Sequence, residues 1–126
     1  LVQPMVSGLA EVLVGYRRDP ETGPVVVLGI GGVLAEIYGD ATVRPAPVDS
    51  ATAREMINEV RGLAPIRGYR NMPKGDLDAL AEAVAAVSRL AAIEWPCILE
   101  AEINPLCVAK AGAGVLAVDA LVRLTP

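Results

Sequence analysis

The chain has 126 residues, 53% of them hydrophobic, a formal net charge of −4 and no histidine. That length fits one domain with a real core, and the acidic balance argues against a nucleic-acid backbone as partner. Without histidine the chain cannot carry a Ser-His-Asp triad, a His-ligated zinc or a phosphohistidine of its own.

One Trp, three Tyr and no Phe leave Val, Leu, Ile and Ala to fill the core. No uninterrupted apolar run approaches the roughly 18 residues that span a bilayer, so no membrane segment is expected. Cys97 and Cys107 form no CxxC motif; reduced thiols in a cytoplasmic protein are the default. Residues 1–126 are expected to form a single domain. Leu1 is not an initiator methionine, and Leu1 to Val6 already reads as a strand or connector in progress, which suits a fragment of a larger protein.

Glu11 to Tyr16 and Val25 to Leu28 are strand-like and flank a turn rich in Asp, Pro and Gly, so they predict an antiparallel hairpin. Gly29-Ile30-Gly31-Gly32 suggests a phosphate-binding turn, but a dinucleotide fingerprint would need glycine where Leu34 stands. Those glycines are either turn chemistry or a close approach of backbone to a phosphate or a partner loop. Asp49 or Ser50 can cap a helix starting near Ala51, with Thr52 and Glu55 at capping-box spacing. Ala53, Met56, Ile57 and Val60 form its apolar stripe, and Gly62 suggests its end. A loop over 68–75 follows. Asp76 then caps a second helix, with Leu77, Leu80, Val84, Val87 and Leu90 inward and Asp78, Glu82 and Arg89 solvated.

The last segment carries the chemistry. On a strand through 97–104, Cys97, Leu99, Ala101 and Ile103 share one face, and Ile98, Glu100, Glu102 and Asn104 share the other. Lys110 to Gly114 reads as a hairpin loop, with Val115 to Ala120 returning as partner strand. A four-residue loop at 110–113 pairs Ala109 with Gly114 and sets Asn104 opposite Asp119, close enough for both to reach one ion. A one-residue slip would flip Asp119 to the other face. Carboxylate and amide oxygens suit a hard cation such as magnesium. The same alternation also belongs to any half-exposed antiparallel strand with one solvated face. The order β-β-β, helix, helix, β-β predicts an α+β fold: a mainly antiparallel sheet with two helices on one face.

In this order and spacing the sequence resembles the C-terminal lobe of the ATP-grasp domain in NDP-forming acyl-CoA synthetases, the acetate–CoA ligase (ADP-forming) β part. The resemblance covers essentially the whole chain. It is carried by Val2-Gln3-Pro4-Met5-Val6 with Glu11, Arg18-Asp19-Pro20, Gly23-Pro24-Val25-Val26, Gly29-x-Gly31-Gly32-Val33-x-x-Glu36, Pro47 with Glu55-Met56-Ile57, and Gly68-Tyr69-Arg70. Glu100-x-Glu102-Ile103-Asn104-Pro105 with Val118-Asp119-Ala120 completes it, a hairpin also like that of the succinyl-CoA synthetase β subunit.

The resemblance implies ATP or ADP and Mg2+ as cofactors. Asn104 and Asp119 would hold the metal with Glu102 beside them, Glu102 standing where an aspartate is frequent. Gln3, Pro4 and Met5 would line the adenine, Glu11 would approach the ribose, and Gly31, Gly32 and Glu36 would lie near the phosphoryl end. It further implies that the other ATP-grasp lobe, with its lysine, the phosphohistidine and the CoA-binding domains are supplied by other parts or another subunit. The parent would then be an acid–CoA ligase and this piece inactive alone. The alternative is a non-catalytic regulatory or assembly module retaining the fold, for example in a protein acetyltransferase.

Overall fold

The computed structural model describes residues 8–31, 39–68 and 70–125. Strands β1 (Ala10–Asp19) and β2 (Gly23–Ile30) pair antiparallel, with Asp19 opposite Gly23. Their turn is closed by Asp19, whose Oδ1 accepts the Glu21 and Thr22 N–H groups at 2.8 and 3.1 Å. Gly23 has φ +83°, a left-handed conformation that an L side chain resists. Strand β3 (Ala41–Pro45) pairs with β2 as an edge strand. Its single buried inward residue is Thr42, so it has no apolar alternation and does not read as a strand in the sequence. An edge is also where Pro45 is tolerated.

Helix α1 (Ser50–Glu59) starts at Asp49, whose carboxylate accepts the Thr52 N–H at 2.8 Å. Thus the cap is Asp49 rather than a Thr52–Glu55 box. Ala53, Met56, Ile57 and Val60 are all fully buried, the expected stripe. The helix stops at Glu59, with Val60 extended, and not at Gly62. Gly62 lies inside a 3-10 segment, Arg61–Arg67, where a Cβ would come within 2.4 Å of Ile30 Cδ1. Asp40 caps that segment by accepting the Arg61 and Gly62 N–H groups at 2.9 and 2.7 Å. Arg67 Nη1 donates back to the terminal carbonyls of Ile57 and Val60, a cation placed at the end of α1 where the dipole favours it.

Helix α2 (Leu77–Ser88) is capped by Asp76 and continues as a 3-10 turn, Arg89–Ala92. Leu77, Leu80 and Val84 are buried, Val87 and Leu90 partly so, and Asp78, Glu82 and Arg89 face solvent. Strand β4 (Ile98–Val108) then pairs with β1 on one side and, on the other, with β5 (Val115–Ala117) and β6 (Ala120–Leu124) in succession. The sheet is antiparallel throughout, in the order β3-β2-β1-β4 with β5 and β6 sharing the last edge. Both helices pack on one face, burying Val12, Val14, Val26, Leu28, Leu106 and Val108 beneath Met56, Ile57, Leu80 and Val84. The architecture is the expected α+β fold with an antiparallel sheet.

The strict alternation expected through 97–104 is interrupted. Ile98 pairs with Leu124 but Glu100 with Arg123, so β4 carries an extra residue at Leu99. The bulge changes the phase. Ile98 and Ala101, not Cys97 and Leu99, are the buried pair, packed with Tyr16.

Candidate functional site

Because Val12 and Val14 point into the core, Glu11, Leu13, Gly15 and Arg17 take the helix-free face of β1. Gly15 lies opposite Glu102 and Arg17 opposite Glu100; on the far side of β4, Leu121 pairs with Glu102 and Arg123 with Glu100. Leu13, Gly15, Arg17, Val27, Glu100 and Glu102 line a depression of about 180 Å³ on this face. An Arg123–Glu100 ion pair at 3.2 Å bridges β6 to β4. The Glu102 side chain makes no hydrogen bond or ion pair among the described residues.

Next along β4 comes a second bulge. Leu106 pairs with Val12 and Ile103 with Val14, so Asn104 and Pro105 together oppose the single residue Leu13. On the other side the pairing stays one to one. Ala109 N–H donates to Gly114 O at 3.0 Å, Val115 faces Val108, Ala120 faces Ile103, and Asn104 N–H donates to Asp119 O at 3.1 Å. Asn104 is therefore opposite Asp119, in the register expected from the four-residue loop. A bulge beside a site re-aims side chains. Here it falls on the residue proposed to meet a cation.

Asp119 is exposed, and its Oδ1 accepts its neighbour's N–H, Ala120, at 2.9 Å. Among the described residues no three Asp, Glu, Cys or His side chains cluster closely enough to hold a metal alone. Magnesium commonly takes one or two protein carboxylates and completes its shell with nucleotide phosphates and water. Asn104, Asp119 and Glu102 are chemically fit for such a shared shell.

The remaining expected contacts divide in two. Gln3, Pro4, Met5, Gly32 and Glu36 lie outside the described residues. Glu11 is exposed and opposite Cys107 on β4. Burial, and secondarily the Glu11 charge, push the Cys107 thiol above its usual range. Gly31 donates its N–H to Glu11 O at 2.9 Å, and a Cβ there would lie 3.1 Å from the backbone of Glu11 and Val12. Close backbone packing thus accounts for glycine at 31. Sequence reasoning missed Gly15, Arg17 and Arg123 as neighbours of Glu102 and Glu100, because only strand pairing brings them together.

Comparison with known proteins shows the family. Residues 1–124 match the model of the ATP-grasp domain. The chain is 40% identical over 116 residues to acetate–CoA ligase (ADP-forming) I of Archaeoglobus fulgidus, covering 92% of this chain and 17% of that protein. It is 33% identical over 124 residues to the acetate–CoA ligase (ADP-forming) II subunit beta of Pyrococcus furiosus, covering 98% of this chain and 52% of that subunit. It superimposes with TM-score 0.85 and 32% identity on acetyl-coenzyme A synthetase 1 of Ca. Korarchaeum cryptofilum, solved in complex with coenzyme A and Mg-AMPPCP, covering 96% of this chain and 55% of that one. The chain thus spans about half of the β subunit and about a sixth of the longer ligase. The chain belongs to the ATP-grasp domain family, and its relatives include ADP-forming acetate–CoA ligases.

Proposed function

We propose that this chain is the nucleotide- and magnesium-binding lobe of an NDP-forming acyl-CoA synthetase, which interconverts acyl-CoA, ADP and phosphate with carboxylic acid, CoA and ATP. The observation that carries this reading is the register that sets Asn104 across from Asp119 at a β4 bulge, beside Glu102. Phosphoryl transfer is chiefly positioning and charge neutralisation, and a bound cation supplies the neutralisation. Asn104 and Asp119 would hold it, with Glu102 adjacent. The helix-free face of β1 and β4 would form one wall of the nucleotide site. Glu11 would stand at the ribose end, Gln3 to Met5 along the adenine, and Gly31, Gly32 and Glu36 toward the phosphates.

The same reading places the partners outside this lobe: the lysine-bearing ATP-grasp lobe, the CoA-binding domains and the phosphohistidine. Leu116, Val118, Leu121, Val122 and Leu124 on the β5–β6 edge are each 45–65% exposed, an apolar margin that supports burial against further protein. The lobe alone is expected to be inactive. No described helix is long and apolar enough to cross a membrane, and we place the parent in the cytoplasm.

Calorimetry on the full-length protein carrying Asp119→Asn tests the assignment. Asparagine can still accept the Ala120 N–H, so the fold should persist. Mg-nucleotide affinity should fall more than about tenfold, since even residues outside a ligand set shift metal affinity that far. Unaltered Mg-nucleotide binding would remove Asp119 from the site.

A further inference from the structure

We infer that Asp76 is a positioning residue for the Asn104–Asp119 pair, acting through the register of the β4–β5 hairpin. This rests on the reading that those two side chains hold the cation. The hairpin's closing residues are Ala109 and Gly114. In an ordinary closing pair each N–H would bond the other's carbonyl. Here only the Ala109 N–H does so, and Asp76 replaces the second bond from both ends. Its own N–H donates to Ala109 O at 2.8 Å, and its Oδ2 accepts the Gly114 N–H at 2.8 Å. Its Oδ1 meanwhile accepts the Ala79 N–H at 3.0 Å, capping α2.

Neighbouring backbone reinforces the clamp. Ala111 N–H donates to Lys74 O at 2.9 Å, and Gly75 forms a bridge with Lys110. Gly75 in turn donates to Ile66 O at 2.8 Å, and a Cβ at 75 would lie 3.0 Å from Ile66 Cβ. The loop tip is thus fixed to two other parts of the chain. A one-residue slip of β5 would withdraw the Gly114 N–H from the carboxylate and turn Asp119 to the opposite face. One aspartate therefore couples the start of α2 to the facing of the cation pair. Those two bonds to the carboxylate also hold the Asp76 carboxyl below its ordinary range.

The test uses the full-length protein with Asp76→Ser. Serine caps a helix as well as aspartate does, but its single oxygen cannot also serve Gly114. Amide hydrogen exchange, read without metal or nucleotide, should accelerate about tenfold at Asn104 and Val118, and Mg-nucleotide affinity should fall about tenfold. Asp49→Ala, which removes the cap of α1 and touches no hairpin residue, should change neither. Should Asp76→Ser fail to fold, Asp76→Asn, which likewise keeps only one acceptor oxygen, should show both effects. Unchanged exchange at Asn104 in Asp76→Ser, or equal effects from Asp49→Ala, overturns the inference. If Asp119→Asn leaves Mg-nucleotide binding intact, the cation reading has failed, and the exchange measurement still decides whether Asp76 sets the register.

Discussion

Replacing Tyr16 with phenylalanine should stabilise the fold. Tyr16 is 1% exposed and packs with Ile98 and Ala101 beneath Val87, Leu90 and Ala91. Its hydroxyl is buried and has no hydrogen-bond partner among the described residues. Mutational data put the cost of such a group at about 1–3 kcal/mol. Phenylalanine keeps the ring and its contacts, and vacates roughly one oxygen's volume. At about 24 cal/mol per Å³, a void of some 10–15 Å³ costs about 0.3 kcal/mol. The net gain is therefore about 0.7–2.7 kcal/mol, each kcal/mol worth about 4 °C in melting temperature for a domain of this size. Urea titration reads it directly: the midpoint should rise with the m-value unchanged. A fall in the midpoint would mean the hydroxyl is satisfied, and the reasoning about this cluster would be refuted.

Asp19, Asp49 and Asp76 each accept backbone N–H groups that hold their carboxyls below the ordinary 3.8. A folded pKa below the unfolded one stabilises above that ordinary value and is lost as pH falls through the folded value. The urea midpoint should be flat from neutrality to about pH 5 and drop below about pH 4, less steeply in Asp76→Ser; an unaltered slope in that variant would contradict it. Cys107 is buried with its thiol pushed up, whereas Cys97 is partly exposed. Mass spectrometry of the native protein after brief alkylation at pH 8 should find Cys97 modified first, and the reverse order would contradict the burial of β4.

Much of the fold and part of the site were legible because their determinants are local. Asp49 and Asp76 read as caps because an aspartate before an apolar helical stripe has few other uses, and both cap. The Asn104–Asp119 pairing was readable from loop length alone, with Gly112 and Gly114 supplying φ +85° and +84° at the turn. What escaped was set by distant parts of the chain. The β4 bulges at Leu99 and Asn104–Pro105 arise from pairing with β6 and β1, so simple alternation misassigned Cys97 and Leu99. Strand β3 was hidden because its buried position is Thr42, which bonds Glu59 and Arg44 instead of joining an apolar stripe. Gly62 misled as a helix stop because its real constraint is Ile30, some thirty residues earlier. The neighbourhood of Glu100 and Glu102 needed three strands to be assembled, since Arg17 and Arg123 meet Glu100 and Gly15 meets Glu102 only by strand pairing.

The central claim is that Asn104 and Asp119 grip one hard cation from facing strands. Manganese prefers the same oxygen donors as magnesium, and its anomalous scattering locates it in crystals of the full-length protein with a non-hydrolysable nucleotide. The account predicts a peak about 2.1 Å from the Asp119 carboxylate and the Asn104 amide oxygen. A peak held by other residues, with 104 and 119 turned away, would contradict it.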